Sequence, residues 1–228
     1  MLRLDKLDRS KLFAEAIGTY ALVFAGTGAI VIDHVSKGAI THAGIALTFG
    51  LIVLAMIYAI GDVSGCHLNP AVTLGFLASG RLESRLVLPY IISQLIGATT
   101  ASGTLRILFP DHPNLGATLP SGSDMQSFLL ELLLTAILMF VILRVSSGSK
   151  EKGIMAGVAV GAVIALEAMF AGPICGASMN PARSVAPAVV SGTVGHLWIY
   201  LIAPCVGALL AIPLYQLTVS NESTSQET

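Results

Sequence analysis

The sequence predicts an all-α membrane fold: six transmembrane helices plus two re-entrant half-helices, arranged as an inverted tandem repeat. Three observations predict it. Hydrophobic residues make up 54% of the chain and charged residues only 11%, against roughly 25% charged in soluble domains, and the mean hydropathy is +0.83. Six stretches, at about 12–32, 43–61, 86–108, 127–146, 153–171 and 197–218, are apolar over the length of about 20 residues that a helical crossing needs. The tripeptide Asn-Pro-Ala occurs twice, at 69–71 and 180–182, each time ahead of an apolar run too short to span. Transmembrane strands would be shorter and would alternate polar with apolar; these stretches do not alternate.

Charge placement orients the six spans. Arg3, Lys6, Arg9 and Lys11 precede the first, Arg81 and Arg85 follow the second, and Arg144, Lys150 and Lys152 lie between the fourth and fifth. Six crossings put these loops on one side, with nine of the twelve Lys and Arg. Positive loops stay cytoplasmic, so both termini are expected in the cytoplasm, with the protein in the plasma membrane. A basic start before an apolar stretch also fits a cleaved leader. Glu15 inside the stretch and a matching copy later in the chain favour a retained helix. The net charge of -1 gives no reason to expect a nucleic-acid partner. Cys66, Cys175 and Cys205 sit among apolar and small residues and read as buried small side chains, not a disulfide framework. No Cys/His metal spacing, nucleophile triad or phosphate loop is present, so no enzyme activity, cofactor or metal is expected.

The chain reads as two copies of one unit. Gly-Asp-Val-Ser-Gly-Cys-His-Leu-Asn-Pro-Ala-Val at 61–72 aligns with Gly-Pro-Ile-Cys-Gly-Ala-Ser-Met-Asn-Pro-Ala-Arg at 172–183. Tyr90 to Ala98 aligns with Tyr200 to Ala208, and Glu15, Thr19 and Phe24 with Glu131, Thr135 and Phe140. One channel domain over 1–228 therefore divides into a first repeat at 12–108, a Pro/Gly/Asp-rich connection at 109–126, a second repeat at 127–218 and a short tail at 219–228. Three crossings per copy force the second copy upside down, and function is expected at the midplane where the copies meet.

The Asn-Pro-Ala segments suit that place. A helix of about ten residues is about 15 Å long, half of a hydrocarbon core about 30 Å thick. Asn69 and Asn180 are suitable N-caps, and Pro70 and Pro181 fit a first turn that needs no N–H. Ala71 and Ala182 continue the two half-helices. Irregular backbone ahead of them is tolerated only against protein or a wet cavity, so its carbonyls would line a water path. Two helix N-termini meeting there concentrate positive partial charge and repel cations and protons.

With these residues the chain resembles the major intrinsic protein family, the aquaporins and aquaglyceroporins, over about residues 12–218. Ser64 to Val72 and Gly176 to Ser184 resemble the family's two signature loops. The resemblance implies a homotetramer with one pore per subunit, lying in the lipid bilayer. It also implies a passive path for water and small uncharged solutes such as glycerol, urea and metalloid acids, arsenite among them. Arg183 matches the arginine of the outer constriction, and its companion positions fall on Phe49, Ala168 and Ala177. Strict water channels commonly carry His where Ala168 stands, so this filter is expected to be wider and more apolar. Ser184 follows the arginine where aquaglyceroporins usually carry Asp, and Tyr200-Leu201 replaces the usual aromatic pair. The mixture most resembles the nodulin-like branch of plants and its bacterial relatives; the short termini point to a bacterial inner-membrane member.

Glu15 and Glu131 are intramembrane acids. They could relay protons, but the family's matching glutamates brace the re-entrant loops. Glu167 could face a pore vestibule or a packed neighbour. His67 reads as a pore-wall residue, with a pH gate as the alternative, and Gln94 and Pro204 read as helix-packing residues. A strict water channel, a secondary transporter and a junctional membrane protein are the competing functions. A transporter would need coupling carboxylates along its path, and the two acids fit bracing better.

Overall fold

The computed structural model describes residues 5–147 and 153–219; Arg3, Lys150, Lys152 and the tail from 220 lie outside them. Among the described residues the chain forms eight helices: α1 (Lys6–Val35), α2 (Thr41–Ser64), α3 (Pro70–Ala78), α4 (Ser84–Leu108), α5 (Asp124–Val145), α6 (Ala156–Cys175), α7 (Pro181–Ser191) and α8 (Leu197–Thr218). Six of them are long and apolar enough to cross a membrane. The short ones, α3 and α7, are the two Asn-Pro-Ala helices.

The packing obeys a two-fold pattern. In the first half α1 packs on α2 and α4; in the second α5 packs on α6 and α8. The halves exchange their short helices, α3 lying against α8 and α7 against α4, and α2 meets α6 at the centre. Each contact therefore has a counterpart in the other half, as an inverted repeat requires.

Small residues make the crossings close. A Cβ on Gly97 would collide with the carbonyl oxygen of Ala16, and one on Gly207 with that of Leu132. These glycines occupy matching places in α4 and α8, so the backbones of α1/α4 and α5/α8 touch. Where apolar lipid removes the hydrophobic drive between helices, such close approach maximises van der Waals contact. Leu51, Leu88, Ile92, Leu133, Ile137 and Leu209 are exposed and form part of an apolar exterior suited to lipid tails.

Polar staples gather at the end of the bundle that holds the start of α1. Arg81 donates to the Leu143 carbonyl, to Ser146 Oγ and to Tyr215 Oη, at 3.2, 3.0 and 2.6 Å. Arg85 pairs with the buried Asp8 at 2.6 Å.

Candidate functional site

The backbone between each long helix and its short successor is left-handed at three matching positions. Gly65 and Gly176 end α2 and α6 with φ of 83°. Cys66 and Leu68 follow at 49° and 52°, and Ala177 and Met179 at 41° and 54°. Non-glycine residues hold such angles at a cost of about 1–3 kcal/mol each, and only where their surroundings over-determine them.

Two buried glutamates supply that constraint. Glu15 accepts the backbone N–H groups of His67 and Leu68 at 2.8 and 2.7 Å, and also Ser64 Oγ and Gln94 Nε2. Glu131 accepts the N–H groups of Ser178 and Met179 at 2.7 and 2.8 Å. Tyr90 Oη donates to the Ser64 carbonyl and Tyr200 Oη to that of Cys175, at 2.9 and 2.8 Å. The carboxylates thus take up N–H groups that no helix can satisfy. Gln94 belongs to this network, donating to Glu15 and to Thr73 Oγ1 at 2.8 and 3.0 Å. That corrects its expected role as a packing residue: a buried amide needs partners, and the carboxylate beside it supplies one.

The two Asn-Pro-Ala helices meet head to head. Asn69 caps α3 by accepting from Ala71 N at 2.8 Å, and Asn180 caps α7 by accepting from Ala182 N at 3.0 Å. Pro70 and Pro181 open the two helices. Asn69 Nδ2 donates to the Met179 carbonyl and Asn180 Nδ2 to the Leu68 carbonyl, at 2.7 and 2.8 Å. Each carboxamide is thereby locked across the repeat axis with one N–H left over. The sequence pattern gave no sign of these cross-bonds, which follow only from the helices meeting.

A cavity of about 110 Å³ passes these residues. A water needs about 10–15 Å³ of such space, so the cavity holds several. Its wall is mostly apolar, interrupted by His67, Asn69, Ser146, Ser178, Asn180 and Arg183. Phe49, Ala168 and Ala177 line it together with Arg183. The guanidinium carbon of Arg183 lies 5.0 Å from the centroid of the Phe49 ring, within cation–π range, and Arg183 Nη1 donates to the Gly116 carbonyl at 2.9 Å. Gly26 makes room for Phe49: a Cβ there would overlap the ring. The His67 ring stacks on Phe76 with centroids 4.5 Å apart, and its Nδ1 is 3.2 Å from Thr73 Oγ1. Glu167 is 1% exposed, is absent from the cavity wall, and has no partner for either carboxyl oxygen among the described residues. Pro204 is buried in α8. Cys66 and Cys175 are buried and Cys205 is half-buried, all as free thiols.

The family model of the major intrinsic proteins matches residues 4–215. The chain belongs to the major intrinsic protein family. The aquaporin NIP1-1 of Zea mays is 49% identical over 91% of this chain and 74% of its own length. Nodulin-26 of Glycine max is 42% identical over 96% of this chain and 81% of its own. Among solved structures, the aquaglyceroporin from Plasmodium falciparum superimposes with a TM-score of 0.82 at 26% identity, covering 92% of this chain and 96% of that one. The likeness to nodulin-26-type aquaporins matches the branch its motifs resemble. The chain is a multi-pass membrane protein, a passive channel for water and small solutes and not an enzyme.

Proposed function

We propose that this channel passes, besides water, neutral solutes of glycerol size, urea and metalloid acids such as arsenite, and that it selects them at a ring of Phe49, Ala168, Ala177 and Arg183. The observation that carries the reading is the make-up of that wall. One aromatic and one guanidinium lie together, while the other two positions are alanines. A methyl side chain leaves open the space an imidazole would fill, and it offers no hydrogen bond that a solute must match. Arg183 donates to passing oxygens and repels cations. The paired N-termini of α3 and α7, carrying roughly half a positive charge each, form a second barrier to cations and protons at Asn69 and Asn180. The single free N–H on each Asn orients a passing water.

Glu15 and Glu131 act as braces in this reading, His67 as part of the wall, and 109–126 as the connecting loop between repeats 12–108 and 127–218. The excess of Lys and Arg on the side of the termini supports a cytoplasmic location for both ends in a plasma membrane. A homotetramer is the assembly that family membership suggests.

Ala168→His tests the filter in liposomes by stopped-flow light scattering with water, glycerol, urea and arsenite. Glycerol and urea fluxes are expected to fall about tenfold, equivalent to about 1.4 kcal/mol of barrier, with water spared. Equal loss of all fluxes, or of none, would remove Ala168 from the constriction.

A further inference from the structure

We infer that His112, far from the filter in sequence, positions Arg183 through the backbone of Leu115 and Gly116, and that protonating its imidazole releases the arginine and narrows the passage. This rests on the reading of Arg183 as a filter residue and adds its regulation.

The chain of contacts is short. His112 lies in the connection between α4 and α5 and is 6% exposed. Its Nδ1 accepts the backbone N–H of Leu115 at 3.0 Å. Leu115 is fully buried in a left-handed conformation, φ 51°, and Gly116 follows at φ 73°. The Gly116 carbonyl then receives Arg183 Nη1 at 2.9 Å. Arg183 Nε has no hydrogen-bond partner among the described residues, so this carbonyl, beside the face of the Phe49 ring, anchors the guanidinium to the wall. A bulky residue in a left-handed turn does not stay there unaided: Asn114 ties the turn from one side, accepting the Gly116 N–H on Oδ1 at 3.1 Å and the Ala117 N–H on its carbonyl at 2.9 Å, and the imidazole lone pair holds the Leu115 N–H itself.

That bond exists only while Nδ1 is unprotonated. Its ring proton then sits on Nε2, which is buried and has no partner among the described residues. A second proton, taken from bulk solvent onto Nδ1, sets N–H against N–H and breaks the contact to Leu115. Two groups act on the ring: His34 from α1, edge to face at a centroid distance of 4.8 Å, and Arg106 from α4, which donates to the His112 carbonyl at 2.8 Å. Asp111, its exposed neighbour along the chain, is the nearest carboxylate in sequence. Burial first, then the positive charge of His34 and Arg106, push His112 below the ordinary imidazole value. The sign follows: the anchor is still whole at the ordinary imidazole value of about 6.5, and it is lost only as the pH falls further, through the lowered value that burial and the neighbouring charges impose. A guanidinium that loses its carbonyl turns to the water in the lumen, because an unpaired cation at membrane depth stays only where it is hydrated. The lumen narrows, and larger solutes lose most.

Swelling of proteoliposomes holding the full chain, followed from about pH 7.5 to about pH 4.5 across the imidazole range, tests this. Wild type is expected to lose glycerol flux several-fold on acidification, and water flux less. His112→Asn offers a carboxamide oxygen in place of Nδ1 and cannot titrate; it is expected to keep neutral-pH fluxes at every pH. His112→Leu is expected to show the acid-state fluxes throughout. Arg183→Val is expected to lose the pH response, and His34→Gln to keep it with its midpoint moved to higher pH. A pH response that survives in His112→Asn or in Arg183→Val overturns the inference. So does a conducting wild type that is flat with pH, which leaves the filter reading standing. Wild-type liposomes no more permeable to glycerol than empty ones at neutral pH would strike the filter reading itself.

Discussion

The two re-entrant loops share one backbone path and are held by different means. At the first, Glu15 takes four donors, two from the loop backbone and two from the side chains of Ser64 and Gln94. At the second, Glu131 takes two backbone donors; Cys175 stands in the place of Ser64 and Pro204 in that of Gln94, which removes the hydroxyl and the amide. The second loop is supported from outside its own half instead. Thr118 Oγ1, in the connection between the halves, donates to Ser184 Oγ at 2.8 Å, and Gly116 holds Arg183. Apart from the Asn bonds across the repeat axis, the first loop is thus braced within its own half, while the second, which leads into the helix of the arginine, also leans on the connection between the halves. Duplication explains what the loops share; the divergence puts the adjustable part of the channel at one mouth.

Where the halves are alike, equal damage is expected, and it is the largest. Gly97→Ala and Gly207→Ala each push a methyl into a backbone carbonyl that cannot rotate away. Either change is expected to cost more than about 3 kcal/mol, at the upper end of overpacking, and to abolish a monodisperse protein in detergent. If one tolerates the change and the other does not, the two-fold packing is unequal at its closest contacts.

Where the halves differ, damage is expected to differ. Glu15→Ala strands four buried donors and Glu131→Ala two, and each costs about 1–3 kcal/mol. The melting temperature is therefore expected to drop further for Glu15→Ala, by the equivalent of about 2 kcal/mol or more. Equal drops would mean that Ser64 and Gln94 contribute nothing to the first loop. Gln94→Leu isolates one part of that difference. It is expected to cost about 1–2 kcal/mol, on the low side because its Oε1 has no partner among the described residues.

Much of this architecture was legible in the chain. The six apolar stretches fall inside or across the six long helices, because length and hydropathy alone decide what can cross a bilayer. Asn-Pro, a cap followed by a residue that needs no N–H, fixed the starts of α3 and α7 to the residue. The contacts that cross between copies were not legible. Asn69 on Met179 and Asn180 on Leu68 depend on two helix ends meeting in space, and no local pattern records that. Gln94 read as packing because an amide on an apolar helix looks alike whether it faces a carboxylate or another helix. The stretch 109–126 read only as a connection, since its Pro, Gly and Asp residues specify turns and not the groups those turns reach.

The smallest expected effect probes that overlooked connection. Thr118→Val keeps the shape of the side chain and removes the hydroxyl that donates to Ser184 Oγ. Ser184 also lies close to Ser178 Oγ, so it keeps a partner, and the loss is expected to be about 1 kcal/mol, one ordinary hydrogen bond. The matching hydroxyl of the first loop, Thr73, bonds instead to Gln94 and to the Asn69 carbonyl within its own half. Thr118→Val is therefore expected to lower the melting temperature slightly and to reduce glycerol flux more than water flux, since the same segment carries Gly116. A change in stability with no change in the flux ratio would separate the tie at Ser184 from the anchor on Arg183, leaving the connection to act on the filter through Gly116 alone.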